Sequence, residues 1–413
     1  MIEEICIKAK TATSEMGKLS AETKTSALRK MADALENNIE KILAANKLDV
    51  EAAKARGLKA SLLDRLSLDQ KKIQTMANEL REVSALPDPI GAVLSTSTQS
   101  NGLIISQIRV PLGVVGVIYE SRPNVTADAA GICIKSGNVV ILRGGSDALN
   151  SNVAIGDVLR EALNGTGVPA DAIQIVNSPD RSAAEELMGM RRYIDVLIPR
   201  GGADLINTVV EKSRIPVIET GTGNCHIYVE EDADLEKATP IVINAKVQRP
   251  GVCNAAEKLI VHRNIAQIYL PVIIAELRRN GVEVRGDKET LRIVPDVKPA
   301  SDQDWYAEYL DLIIGVKVVS NLNEAITHIN KYSTHHSDSI LTKDFAKASR
   351  FLKEVDSATV YWNTSTRFTD GNQFGLGAEI GVSTQKLHVR GPMSVQHLTT
   401  TKYVVVGNGQ TRK

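Results

Sequence analysis

The chain has 413 residues, 43% hydrophobic and 24% charged, and its 49 lysines and arginines balance 49 aspartates and glutamates. That length predicts two or three domains, and the neutral balance removes any global electrostatic drive toward nucleic acid or an anionic membrane. No apolar run approaches the ~18 residues of a membrane span, the acidic start Met1–Cys6 does not read as a leader, and cysteines at 6, 133, 225 and 253 lack any CxxC spacing, which fits a reducing cytoplasm and no disulfide scaffold or zinc knuckle.

From Glu22 to Ala85 the pattern is helical, with Leu28, Met31, Leu35, Ile39, Ile42 and Leu43 on one face, until Pro87 and Pro89 end it. A polar patch from Ser95 to Gly102 and the apolar run Leu103–Val110 predict a hairpin arm. From Gly113 to Val229 short apolar runs alternate with helices. The predicted strands are Val114–Tyr119, Val139–Leu142, Ile173–Val176, Val196–Ile198, Val217–Ile218 and Ile227–Val229, and the helices begin near Thr126, Asn150, Arg181 and Ala203. That alternation predicts a largely parallel sheet covered on both faces, with ligands beyond the carboxyl ends of its strands. Asp232–Trp362 predicts a second α/β unit, with helices near 234–248, 265–280, 323–332 and 343–355 and strands near 258–261, 313–319 and 358–362. The tail ends in a β-prone run, Leu398–Val406, for which an intersubunit sheet is one place to dock.

Two turns follow predicted strands: Arg143-Gly144-Gly145-Ser146 and Pro199-Arg200-Gly201-Gly202. Glycines let a backbone approach a phosphate, and a following helix N-terminus favours an anion. Neither is a GxGxxG fingerprint or a P-loop, so an ordinary strand-to-helix turn and a phosphate-bearing cofactor both remain open here. Cys253 lies just past the Pro250-Gly251 break, four residues after Arg249, where a thiol can be presented as a nucleophile and its pKa lowered. A small buried cysteine is the competing reading. Glu219, after Val217-Ile218, is a general base or a cap. His335-His336-Ser337-Asp338 has no HxxxH or HExxH spacing, and no metal is expected there.

Several stretches resemble the aldehyde dehydrogenase superfamily, and within it the γ-glutamyl phosphate reductase (glutamate-5-semialdehyde dehydrogenase) subfamily. They are Pro111–Thr126, Arg249-Pro250-Gly251-Val252-Cys253-Asn254-Ala255, and the run from Val319 through Ala325-Ile326-Thr327-His328-Ile329 to Tyr332–Ile340. The resemblance spans nearly the whole chain. It implies an aldehyde-dehydrogenase-like α/β fold: a Rossmann-type cofactor domain (1–93 and 112–228), an α/β catalytic domain (229–362), a β oligomerisation arm and tail (94–111 and 391–413), and a return segment (363–390).

It further implies NADPH-dependent reduction of L-glutamate 5-phosphate to glutamate 5-semialdehyde and phosphate, through a thioester on Cys253, in proline biosynthesis. The expected setting is a cytoplasmic homo-oligomer, with the kinase that supplies the substrate as a candidate partner. Arg143, Gly144, Gly145 and Ser146 match the run whose acid selects NAD in many relatives. An arginine fork and Ser146 in place of the acid favour NADP. Gly201 belongs to the second cofactor turn, and Glu308 matches the glutamate that holds the nicotinamide ribose. Ser121 stands where relatives carry an oxyanion asparagine, with Asn124 just beyond, leaving the backbone N–H of Cys253 as a donor. Arg122 is the expected contact for the substrate's phosphate or carboxylate, and Glu219 matches the hydrolytic base of aldehyde-oxidising relatives. A hydrolytic aldehyde dehydrogenase and an inactive binding scaffold are the alternatives to the reductase.

Overall fold

A computed structural model describes residues 1–58 and 60–412. The chain forms two compact units: Met1–Glu219 with Gly375–Gly381 and Met393–Lys413, and Thr220–Phe374 with Val382–Pro392.

In the first unit a four-stranded parallel sheet runs in the order Ile173–Ile175, Val139–Gly144, Val114–Tyr119, Val196–Arg200. Val114–Tyr119 and Val139–Gly144 are buried at every position, which is why they read as continuous apolar runs rather than alternating ones. The first three strands step one way across the sheet and the fourth returns to the other side of Val114–Tyr119. Strand order therefore reverses between Tyr119 and Arg200, and residues 120–122 and 201–202 border the place where doubly wound sheets take ligands. Val217 adds only a single bridge to Leu197 in place of the predicted strand.

The predicted helices form at Ala21–Asn37, Ile39–Ala55, Gln70–Ala85, Asn124–Lys135 and Leu149–Ala162, and Ser20 and Asp69 cap two of them through the backbone N–H of Thr23 and Lys72. A further helix, Ile2–Met16, precedes the predicted block and buries Ile2, Cys6, Ala9, Ala12 and Met16. The arm is a three-stranded antiparallel sheet in which Ile104–Pro111 pairs with Val93–Thr98 on one side and Thr399–Val406 on the other. Half of the polar patch expected to be a bend, Ser95–Thr98, is itself strand, and the tail strand pairs within its own chain.

The second unit holds a seven-stranded parallel sheet in the order Lys298–Pro299, Glu283–Gly286, Ile313–Val319, Ala256–His262, Cys225–Val229, Ser337–Leu341, Thr359–Trp362. Leu235–Val247 and Arg263–Arg279 bury Val242, Tyr269, Leu270 and Ile273 against Leu259, Val261 and Val316. Leu322–Tyr332 and Phe345–Glu354 bury Ile326, Ile329 and Phe351 with Tyr228, Ile260 and Ile340.

Two expected boundaries change. Cys225–Val229 pairs with Ala256–His262 and Ser337–Leu341 rather than with the first sheet, so the second unit starts at Thr220 and not at 229. The segment expected to return as one piece (363–390) instead crosses over twice, with only Gly375–Gly381 in the first unit. Among the described residues no helix is long and apolar enough to cross a membrane.

Candidate active site

The helix Leu235–Val247 begins where Asp234 caps Lys237 N–H and ends one residue before Gln248. Pro250 forces Arg249 out of helical geometry, and the chain turns through 250–255 into the strand Ala256–His262. Cys253 sits on that turn, partly exposed, whereas Cys6, Cys133 and Cys225 are buried. Burial pushes the Cys6 thiol up to about 11 and raises Cys133 and Cys225 as well. Those three are inert as nucleophiles at neutral pH, leaving Cys253 as the accessible thiol.

The turn is fixed from three sides. The Cys225 Sγ–H donates to the Cys253 carbonyl at 3.2 Å. Gly223 packs so closely that an added Cβ would lie 1.4 Å from that carbonyl oxygen and 2.7 Å from the Cys253 Cα. Asn254 spends its carboxamide on the neighbouring loop: Nδ2 donates to the Thr369 carbonyl at 2.8 Å, and Oδ1 accepts from Arg367 Nη1. The Asn254 carbonyl accepts from Thr366 Oγ1 at 2.7 Å. Asn254 is thus a staple for the cysteine loop. We expect Gly223→Ala to lower kcat about a hundredfold by displacing Cys253 by about an ångström, with an unchanged circular dichroism spectrum; kcat within a few-fold of the parent would show that the contact is dispensable.

Glu308 is brought to the same place. Its Oε1 accepts from the Gly223 N–H at 2.6 Å, and buried ionisable groups hold the segment around it. Lys258 Nζ donates to the Ala307 carbonyl at 2.7 Å and lies 4.5 Å over the Tyr309 ring. Glu257 accepts from the Leu310 N–H at 3.2 Å and pairs with fully buried Lys246 at 2.8 Å. Burial pushes the Glu257 carboxyl up to about 7 and pulls Lys258 down to about 7. A satisfied network of this kind is rigid, and it pins a non-glycine residue, Leu310, at φ 53.

The motif His335–Ser339 is structural. Asp338 accepts from the His226 N–H, Ser333 and Ser357, and Ser337 bonds Thr369 on the loop held by Asn254. His335 Nδ1 meets the Asp356 carbonyl at 2.6 Å. Among the described residues Glu230, Glu231 and His262 gather ligand atoms within 4.8 Å, but Lys347 already supplies the positive charge at 3.2 Å and 3.1 Å from the two acids.

The remaining expected residues lie in the first unit. Ser121, Gly145 and Gly201 cluster at the strand ends: a Cβ on Gly145 would lie 3.7 Å from the Ser121 nitrogen, and one on Gly201 would lie 2.5 Å from Glu120 Oε2. Ser121 has φ 35, a strained value for a non-glycine residue. Arg122 follows it, and its carbonyl accepts from the Val125 N–H. Asn124 donates to Asp128 at 2.9 Å, so part of its amide is committed within its own helix. Gly144 packs where a Cβ would strike Asn152, and Ser146 is exposed at the start of the next helical turn. Glu219 is the last residue of this unit's first segment.

Of the two readings left open for the glycine turns, the structure bears on the helix N-termini, where the chain's own acids meet donors. The Glu120 carboxylate accepts from the Gly202 N–H at 2.9 Å, and Asp49 accepts from the backbone and side chains of Asn150 and Ser151 at 2.6–3.2 Å. The chain's own acids occupy these donors, as the helix dipole favours. The positive charge at this sheet edge is instead a pair of arginines. Arg143 is buried with Nη2 on the Asp180 carbonyl at 2.8 Å, and Nε, also buried, has no partner. Burial and then the positive charge of Arg181 pull its pKa down. Arg181 was legible in principle as the first residue of the helix predicted after the strand Ile173–Val176.

Residues 1–311 match the aldehyde dehydrogenase family, and the chain belongs to it. Within that family it groups with the gamma-glutamyl phosphate reductases. The protein of that name from Caldanaerobacter subterraneus is 58% identical over 98% of each chain. The crystal structure of gamma-glutamyl phosphate reductase from Thermotoga maritima superimposes with a TM-score of 0.97 at 51% identity, covering 100% of both chains. An acetylating aldehyde dehydrogenase from Geobacillus thermoglucosidasius, 18% identical, shares the fold with a TM-score of 0.73 over 100% of this chain and 97% of its own.

Proposed function

We propose that the protein reduces L-glutamate 5-phosphate to L-glutamate 5-semialdehyde and phosphate with NADPH, through a thioester on Cys253, as a step toward proline. The observation that carries this reading is Cys253 itself: the accessible thiol, on a turn held by Gly223, Cys225 and Asn254 beside Glu308, in a chain whose relatives are named for this reaction.

The Cys253 thiolate forms a C–S bond to the acyl carbon, and the C–O bond to phosphate breaks, the phosphate leaving with the bonding electrons. Phosphate is a good leaving group, so this step needs no general acid. When bound, the nicotinamide supplies the hydride that reduces the thioester carbon. The tetrahedral oxyanion then re-forms its carbonyl, expelling the Cys253 thiolate and releasing the aldehyde. The Gly223 bond to Glu308 and the anchoring of its neighbours by Lys258 and Glu257 support Glu308 as the residue that holds the nicotinamide ribose. A hydrolytic base has no part in this sequence, and Glu219 is not needed as one.

The residues of the first unit fit a nucleotide bearing an extra phosphate, on the evidence of a buried guanidinium nitrogen without a partner at Arg143, with Arg181 as a second positive charge acting on it. Removing Arg181 should weaken NADPH binding about tenfold while changing NADH binding less than twofold, because one charge-assisted contact to phosphate is lost. Fluorescence titration of both nucleotides checks this, and an equal loss for the two would refute a 2′-phosphate contact. The reaction itself is tested in reverse: NADP⁺ reduction by glutamate semialdehyde should require inorganic phosphate. Turnover without phosphate would instead identify a hydrolytic aldehyde dehydrogenase.

A further inference from the structure

The loop bearing Cys253 is crossed by a guanidinium that the reaction scheme above does not use. Arg367 Nε donates to Gln248 Oε1 at 2.7 Å, and its Nη1 donates to Asn254 Oδ1. These two anchors lie at opposite ends of the turn, one before Arg249 and one after Cys253, so the half-buried guanidinium spans the loop and is held in place before any ligand arrives. Two of its five donors are used in this way.

Arg249, adjacent to the first anchor, is exposed. Burial lowers the pKa of Arg367, and the charge of Arg249 is the next cause; Asp370 is the acid that opposes it. Arg249 directly follows Gln248, the residue that Arg367 holds, so two basic residues sit on the approach to the cysteine loop. Like charges gathered next to a nucleophile are stabilised when an anion comes between them.

We propose that Arg249 and Arg367 form the phosphate subsite of the reaction, binding the phosphoryl group of an acyl phosphate and then the inorganic phosphate expelled from it. This rests on the reduction proposed above and adds the residues that recognise its leaving group. The chemistry fixes where such a subsite must be. In the adduct the sulfur, acyl carbon, bridging oxygen and phosphorus are consecutive atoms, so the phosphorus is three bonds from Cys253 Sγ. Only cations adjoining the cysteine loop can reach it, and guanidinium forks match the terminal oxygens of a dianion.

Alkylation of Cys253 by neutral iodoacetamide tests the subsite without turnover, since the other three cysteines are buried. Inorganic phosphate should slow the wild-type reaction, and Arg249→Gln should need at least about tenfold more phosphate for the same protection. In the semialdehyde-oxidising direction the KM for phosphate should rise about ten- to a hundredfold, with the KM for NADP⁺ within twofold. Arg367→Gln is read in the same assays after its circular dichroism spectrum is matched to the parent. Exposed Arg249 keeps the test decisive if that variant does not fold. Equal protection of wild type and Arg249→Gln, or an unchanged KM for phosphate, overturns the subsite, as does absence of any protection in the wild type. Protection by phosphate, lost in Arg249→Gln, in an enzyme that shows no phosphate-dependent turnover keeps the subsite and overturns the reduction.

Discussion

Cys253→Ala should lower the rate of acyl-phosphate reduction by about 10⁴-fold or more, the scale on which removing a covalent nucleophile acts, while leaving NADPH affinity within about twofold of the parent. The first expectation follows from the absence of a substitute. Cys225 is the neighbouring thiol, but it is buried, its pKa is raised, and its S–H is spent on the Cys253 carbonyl. The second follows from where the arginine pair lies: Arg143 and Arg181 belong to the first unit, and Cys253 belongs to the second. Cys253→Ser should be almost as damaging, since a neutral hydroxyl is a far weaker nucleophile than a thiolate. Stopped-flow reduction and a fluorescence titration of NADPH on the same preparation decide the matter. An alanine variant that keeps more than a few per cent of the rate would exclude the thioester route.

How much of this was legible in the sequence depended on whether the signal was local. Val114–Tyr119 and Val139–Gly144 announce themselves because strands buried on both faces need an unbroken apolar run. Glu283–Gly286 and Lys298–Pro299 do not, being short, partly exposed and at the sheet's edge. Ser337–Leu341 is buried at every position yet begins Ser-Asp-Ser, so its polarity masked an inner strand. The helix Ile2–Met16 carried its signal in Ile2, Cys6, Ala9 and Met16, but small residues make a weak stripe.

The same division holds at the site. Cys253 was visible from the Pro-Gly break beside it. Gly223 and Arg367, which fix it, come from distant parts of the chain and carry no motif. The two glycine turns show the same limit. By sequence each could be an ordinary turn or a phosphate site, while Glu120 and Asp49 meet donors at the two helix N-termini concerned, and no sequence spacing shows which acid will reach which helix.

Asp338→Ala should destabilise the protein by about 3–5 kcal/mol, the cost of removing one partner from a buried polar network. Asp338 is fully buried. Its Oδ1 accepts from the His226 N–H at 2.7 Å and lies 3.2 Å from the His226 ring, while Oδ2 accepts from Ser333 at 2.8 Å and Ser357 at 2.5 Å. Alanine would strand a backbone donor and two hydroxyls in a dry interior between the strands Cys225–Val229, Ser337–Leu341 and Thr359–Trp362. Asp338→Asn keeps the shape and one oxygen acceptor, so its cost should be roughly half as large.

The expected reading is a fall of roughly 5–10 °C in the first thermal transition for the alanine variant, with kcat of the folded enzyme at low temperature within a few-fold of the parent, because Asp338 grips the scaffold and not the substrate. The opposite pattern, a hundredfold loss of kcat with an unchanged transition, would mean that this stretch acts in the chemistry. The predicted pattern would mean that Asp338, Ser333 and Ser357 serve the packing of this stretch, bonding one another inside the sheet that carries the cysteine loop.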